Sequence, residues 1–96
     1  MRRIKTNTRN FNDPKYITWR NEVYNRDKHN CQWPGCIRRR GLNAHHIRRW
    51  ANFPTLRFLV NNGITLCKIH HKFIKGREDD YIILFNQILQ MKAKHV

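Results

Sequence analysis

The chain has 96 residues, with 20 Lys and Arg against 6 Asp and Glu, which gives a formal net charge of +14 with neutral histidines. That length holds one small core and no second domain, and an apolar fraction of 40% leaves such a core in need of a staple. The charge asks for an anionic partner, nucleic acid ahead of an anionic membrane surface or an acidic protein, while the longest aliphatic and aromatic run, Tyr81 to Phe85, is far too short to span a bilayer.

Residues 1–20 are polar and basic and lack the apolar stretch of a secretory signal, which suits an intracellular protein. Within them, residues 1–13 carry Arg2, Arg3, Lys5 and Arg9 and read as a flexible basic arm. Residues 14–96 then form the single domain, with its core at about 30–76 and a C-terminal helix at about 79–94. Asp13 followed by Pro14 is an N-cap and first-turn signal, and Tyr16, Trp19, Val23 and Tyr24 recur at helical spacing up to Arg26. Asn30 to Gly41 contains Pro34, Gly35, Cys31 and Cys36 and reads as loop. Leu42 to Arg48 and Gly63 to Leu66 suit two short strands. Between them, Pro54 and Asn61-Asn62 argue for loop, although Leu56, Phe58 and Leu59 ask for burial. Cys67 to Lys75 has helical spacing in Ile69, Phe73 and Ile74 and stops at Gly76. Glu78, Asp79 and Asp80 favour the start of a last helix, with Tyr81, Leu84, Phe85, Ile88 and Leu89 as its buried stripe and Lys92 and Lys94 at its end.

The six histidines and three cysteines concentrate the chemistry. Three cysteines cannot all pair internally, so a disulfide framework is a poor reading and metal a good one. Cys31 and Cys36 are separated by four residues and Cys67 and His70 by two, and both gaps let a pair of side chains reach one tetrahedral ion. A structural Cys3His zinc site follows, closed and without catalytic duty. Neighbours on a strand point to opposite faces, so His45 and His46 divide their roles, one on a metal and the other able to act as a base. His70 and His71 diverge by about 100° around a helix. One of them can turn to the zinc while the other faces a different pocket, and helix direction alone does not say which.

Taken together, AHHI at 44–47, NGITLC at 62–67 and the two-residue gap from Cys67 to His70-His71 resemble the HNH (His-Asn-His) endonucleases of the ββα-metal fold. The upstream string WRNEVYNRDKHNCQWPGC looks like the segment before that motif in many phage-borne members, so the resemblance covers about residues 16–75. It implies an α+β protein: a small zinc-stapled ββα-metal (His-Me finger) domain flanked by N- and C-terminal helices. His46 would be the general base, His45 and His71 the ligands of a catalytic divalent ion, and Asn62 the motif asparagine that braces the loop and orients His46. Cys31, Cys36, Cys67 and His70 fall where family variants carry a zinc quartet, with His70 standing where cysteine is more usual. The position of His45 is often Asp in the family, which favours a softer divalent ion than magnesium. The implied activity is metal-dependent hydrolysis of DNA phosphodiesters, nicking one strand per site to give 5′-phosphate and 3′-hydroxyl ends. Mg2+, Mn2+, Ni2+, Co2+ or Zn2+ would serve, without an organic cofactor, in a monomer or weak homodimer.

Arg38, Arg39 and Arg40, the pair Arg48 and Arg49, and Lys68, Lys72 and Lys75 on one face of the second helix would meet the phosphates. About six such contacts would lose roughly a thousandfold in affinity between 50 and 200 mM salt. Trp19, Trp33 and Trp50 read as packing residues ahead of base-stacking platforms, while His29 and His95 carry no assigned role. Two alternatives keep the charge and the zinc but not the chemistry: a catalytically inactive zinc module that binds nucleic acid, and a ribosome-associated protein that prefers structured RNA.

Overall fold

The computed structural model describes residues 10–94 of the chain, Lys94 by its backbone alone. Arg2, Arg3, Lys5 and Arg9 of the basic arm, and His95, lie outside the described residues. Over these residues the protein is α+β, with one two-stranded antiparallel sheet and three α-helices. The first helix, α1 (Pro14–Arg26), starts where Asp13, in extended backbone, accepts the Lys15 N–H at 2.9 Å and Pro14 fills the first turn. It buries Trp19 and Val23 and ends at Asp27, after which Lys28 and His29 both take φ of 55°, a left-handed reversal.

Strand β1 (Leu42–His46) pairs with β2 (Gly63–Cys67) in a register that sets Leu42 against Cys67, His45 against Ile64 and His46 against Gly63. The expected strand through Arg48 is shorter than read, because after His46 the chain leaves the sheet on a long excursion. That excursion carries two 3-10 turns, Pro54–Leu56 and Val60–Asn62. All five residues of β2 are buried, since helices cover both faces of the sheet. On one face α1 presses so closely that a Cβ on Gly63 would sit 2.5 Å from Val23 Cγ2 and 2.6 Å from Trp19 Cζ2. Only glycine fits there. On the other face Ile64 and Leu66 pack with Ile74 of α2 (Lys68–Ile74) and Phe85 of α3 (Ile82–Lys94).

Asp27 joins the layers. Its carboxylate is buried, accepts the Thr65 N–H at 2.9 Å, and is paired with Arg26 at 2.8 Å and Lys92 at 3.7 Å. A buried carboxylate needs such partners, and these tie the end of α1 to the middle of β2 and to α3.

Several apolar residues lie elsewhere than their periodicity suggests. Phe58 is 39% and Leu59 50% exposed, and on α2 Ile69 and Phe73 face solvent while Ile74 alone is buried. Helix α2 stops at Ile74, so Lys75 lies just beyond it rather than on its face, and Glu78, Asp79 and Asp80 form a 3-10 turn (Glu78–Tyr81) ahead of α3. Among the described residues no helix is long and apolar enough to cross a membrane.

Candidate metal centre and neighbouring cleft

The loop after α1 brings two cysteines to β2. Gln32 N–H donates to Thr65 O at 2.9 Å, and Cys31 N–H to Arg38 O at 2.8 Å. A tight turn with Cys36 N–H on Trp33 O and Gly35 at φ 81° then returns Cys36 beside Cys31. Cys67 ends β2, and His70 lies on the first turn of α2. The donor atoms of Cys31, Cys36, Cys67 and His70 all lie within 4.8 Å of one another. His70 Nδ1 is 3.3 Å from Cys67 Sγ and 3.7 Å from Cys31 Sγ. Tetrahedral zinc with ordinary bond lengths holds its ligand atoms about 3.6–3.8 Å apart, so this cluster has the chemistry and the spacing to hold such an ion. Trp33 stacks on the His70 ring at 4.8 Å and 5°, which fixes its plane.

The thiols are electrically unlike. Burial pushes the Cys31 thiol up to about 11. At Cys67 burial acts the same way but is outweighed by the N–H groups of His70 and Ile69 at the start of α2, together with the neighbouring thiols, so its thiol is held below the ordinary range.

One residue further along α2, His71 turns away from the cluster. Its ring faces His45 across 5.4 Å between centroids, at 65°. Two imidazoles on one tetrahedral ion, with nitrogens at 2.0–2.1 Å, put their centroids roughly 5 Å apart, a spacing close to that of this pair. Of the two adjacent histidines, His70 sits with the thiols and His71 lies beside His45. Both rings line a cleft of about 760 Å3 whose walls also include His46, Tyr16, Arg20, Arg49, Trp50 and Glu78.

Strand alternation sends His46 to the α1 side, where it stacks on Trp19 at 4.0 Å and 10°. Its Nε2 lies 2.9 Å from Arg57 O. A carbonyl oxygen only accepts, so Nε2 carries the proton and the lone pair of the neutral ring is on Nδ1. Asn62 is buried and spans the excursion between the strands. Its Oδ1 accepts Arg48 N–H at 2.9 Å, and its Nδ2 donates to Arg48 O at 3.1 Å and Leu56 O at 3.3 Å. The carbonyl it holds at Leu56 adjoins the one at Arg57 that meets His46.

The basic residues differ in freedom. Arg38, Arg39, Arg40, Lys68, Lys72 and Lys75 are exposed, and Arg48 is exposed with its guanidinium 5.6 Å from the Phe53 ring. Arg49 is engaged on the cleft rim, 3.3 Å from Asp79 and 3.8 Å from Glu78. Burial opposes ionisation of Glu78, but the N–H groups of Glu78 and Gly76 and the positive character of Arg49 and His45 outweigh it and hold the carboxyl below its usual range.

Sequence reading missed Trp19 as the floor beneath His46, Arg57 as its backbone partner, and Glu78 as part of the cleft. Trp19 had only the signal of a helix stripe, and a carbonyl has no sequence signature at all. Trp50, a packing residue by sequence, is half-buried on the cleft wall with the Arg57 guanidinium 3.7 Å above its ring. Comparison with family models, with curated proteins and with solved structures finds no match for this chain.

Proposed function

We propose that this chain is a metal-dependent endonuclease of the His-Asn-His type, with β1, β2 and α2 as a ββα-metal unit and the Cys31, Cys36, Cys67 and His70 cluster as its structural zinc site. The observation that carries this reading is the approach of His45 and His71 to 5.4 Å across the same cleft that His46 lines. A closed structural cluster has no use for a second pair of histidines beside it.

A divalent cation held by His45 and His71 would relieve charge on a phosphate oxygen and on the departing 3′ oxygen. The remaining work belongs to the chain itself. His46 commits Nε2–H to Arg57 O, which leaves Nδ1 as the basic nitrogen of the general base; Nδ1 is buried in this structure, so the attacking water reaches it only once the cleft rearranges around substrate. Trp19 holds the ring plane by stacking, and Asn62 holds the excursion that presents the Arg57 carbonyl. The exposed arginines and lysines neutralise the nucleic-acid backbone; DNA is the proposed substrate.

The test is nicking of supercoiled plasmid by the zinc-loaded protein with Mg2+, Mn2+, Ni2+ or Co2+. His46→Ala should lower the rate by about 10²–10⁴-fold, the usual contribution of a general base, while retaining zinc. Equal background nicking by wild type and His46→Ala with every ion overturns the enzyme and leaves a zinc module that binds nucleic acid.

A further inference from the structure

The His45–His71 pair supplies two donors, whereas catalytic zinc-type sites are usually built on three protein ligands. Of the six acidic residues in the chain, Glu78 alone lines the cleft that holds this pair. It reaches the cleft because α2 stops at Ile74, Gly76 turns the chain at φ 85°, and a 3-10 turn begins at Glu78 itself. Its side chain is one-quarter exposed.

Resting on the reading just given, we propose that Glu78 is the third protein ligand of the cation held between His45 and His71, with Arg49 retaining its carboxylate until the cation takes it. Two imidazoles and one carboxylate make an intermediate donor set that suits Mn2+, Fe2+, Co2+ or Zn2+ better than an all-oxygen site would, and leave positions for water and phosphate. Among the described residues, the Cys/His cluster is the set of three or more donors already converged. Glu78 therefore joins the histidines by a swing of its side chain. The swing releases the N–H groups of Glu78 and Gly76 as well as Arg49, and of these the ion pair is loose. Arg49 Nη2 stands 3.8 Å from Glu78, a full ångström longer than the Arg26–Asp27 pair at 2.8 Å, and its closer partner is Asp79 at 3.3 Å. When Glu78 leaves, Arg49 keeps Asp79 and gains room to meet a substrate phosphate on the same rim.

Mn2+ titration of the zinc-loaded chain, followed by calorimetry and by the loss of the free-ion electron paramagnetic resonance signal, tests this without activity. Mn2+ is chosen because the thiolate cluster does not favour it. Glu78→Gln should weaken Mn2+ binding by about tenfold or more, comparable to His71→Ala, and Glu78→Asp, which keeps the charge but shortens the reach, should weaken it too. Asp79→Asn removes the same charge from the same arginine and should stay within about twofold of wild type, which separates ligation from electrostatics acting at a distance. If Glu78→Gln binds like wild type while His71→Ala does not, the inference fails and the histidine site stands. Equal losses in Glu78→Gln and Asp79→Asn also overturn it. Should wild type and His71→Ala bind Mn2+ alike, the cation site of the proposed function falls, and the role of Glu78 with it.

Discussion

Two histidines adjacent on α2 serve two unlike neighbourhoods. His70 enters a cluster in which four donors already converge, its ring held flat by Trp33 and its partners drawn from a loop, the end of β2 and the helix itself. His71 enters a cleft where its ring stands beside that of His45 and the other walls mix polar groups with Tyr16, Leu42 and Trp50. The first arrangement is complete without a substrate, and the second is not. The difference teaches how a chain this small divides its labour. Converged thiols link pieces far apart in sequence and so substitute for a large core, while the proposed His45–His71 site would accept an ion and still have room for a ligand.

The comparison breaks most easily at the thiols. Cys67→Ser should abolish tight zinc binding and cost several kcal/mol, a large part of the 5–15 typical of a domain, so that circular dichroism finds little cooperative unfolding. His71→Ala, one residue from the cluster, should instead keep one zinc per chain and melt within a few degrees of wild type. If both substitutions strip the zinc, the two neighbourhoods are one site and the division is wrong.

Gly63 sharpens the contrast from the other side. Gly63→Ala forces a methyl against Trp19 and Val23, and should cost about 1–3 kcal/mol through displacement of α1. Because Trp19 underlies His46, nicking should fall with it, whereas zinc content, measured by metal analysis, should not change. The smallest effect is expected in the strand between the two sites. Thr65 is fully buried, and its Oγ1 has no hydrogen-bond partner among the described residues, so Thr65→Val should be neutral or stabilising by up to about 1 kcal/mol in a denaturant melt. A clear loss of stability would show that the hydroxyl is engaged.

What could be read in advance was local. Asp13 and Pro14 announce α1, alternation separates His45 from His46, and the short gaps within Cys31–Cys36 and Cys67–His70 foretell the cluster. What could not be read depends on residues distant in sequence. The Arg57 carbonyl beneath His46 and the Trp19 ring beside it come from the excursion and from α1, and neither identity nor spacing predicts such a meeting. Arg49 reads as a phosphate contact from its charge, and nothing local signals that it also pairs with Glu78 and Asp79, which lie beyond α2. Apolar identity is a poorer guide. Ile69 and Phe73 have the spacing of a buried stripe, yet α2 is short and has its inner face filled by Ile74, leaving them to solvent.

The pairing of β1 with β2 also restricts how descendants of this chain can diverge. Inserting or deleting a single residue between Leu42 and His46 turns both imidazoles over together, so that the one beside His71 faces α1 and the one on Trp19 faces α3. Length variation is therefore excluded from this strand, and lineages that keep the proposed site can alter it only by replacement, letter for letter.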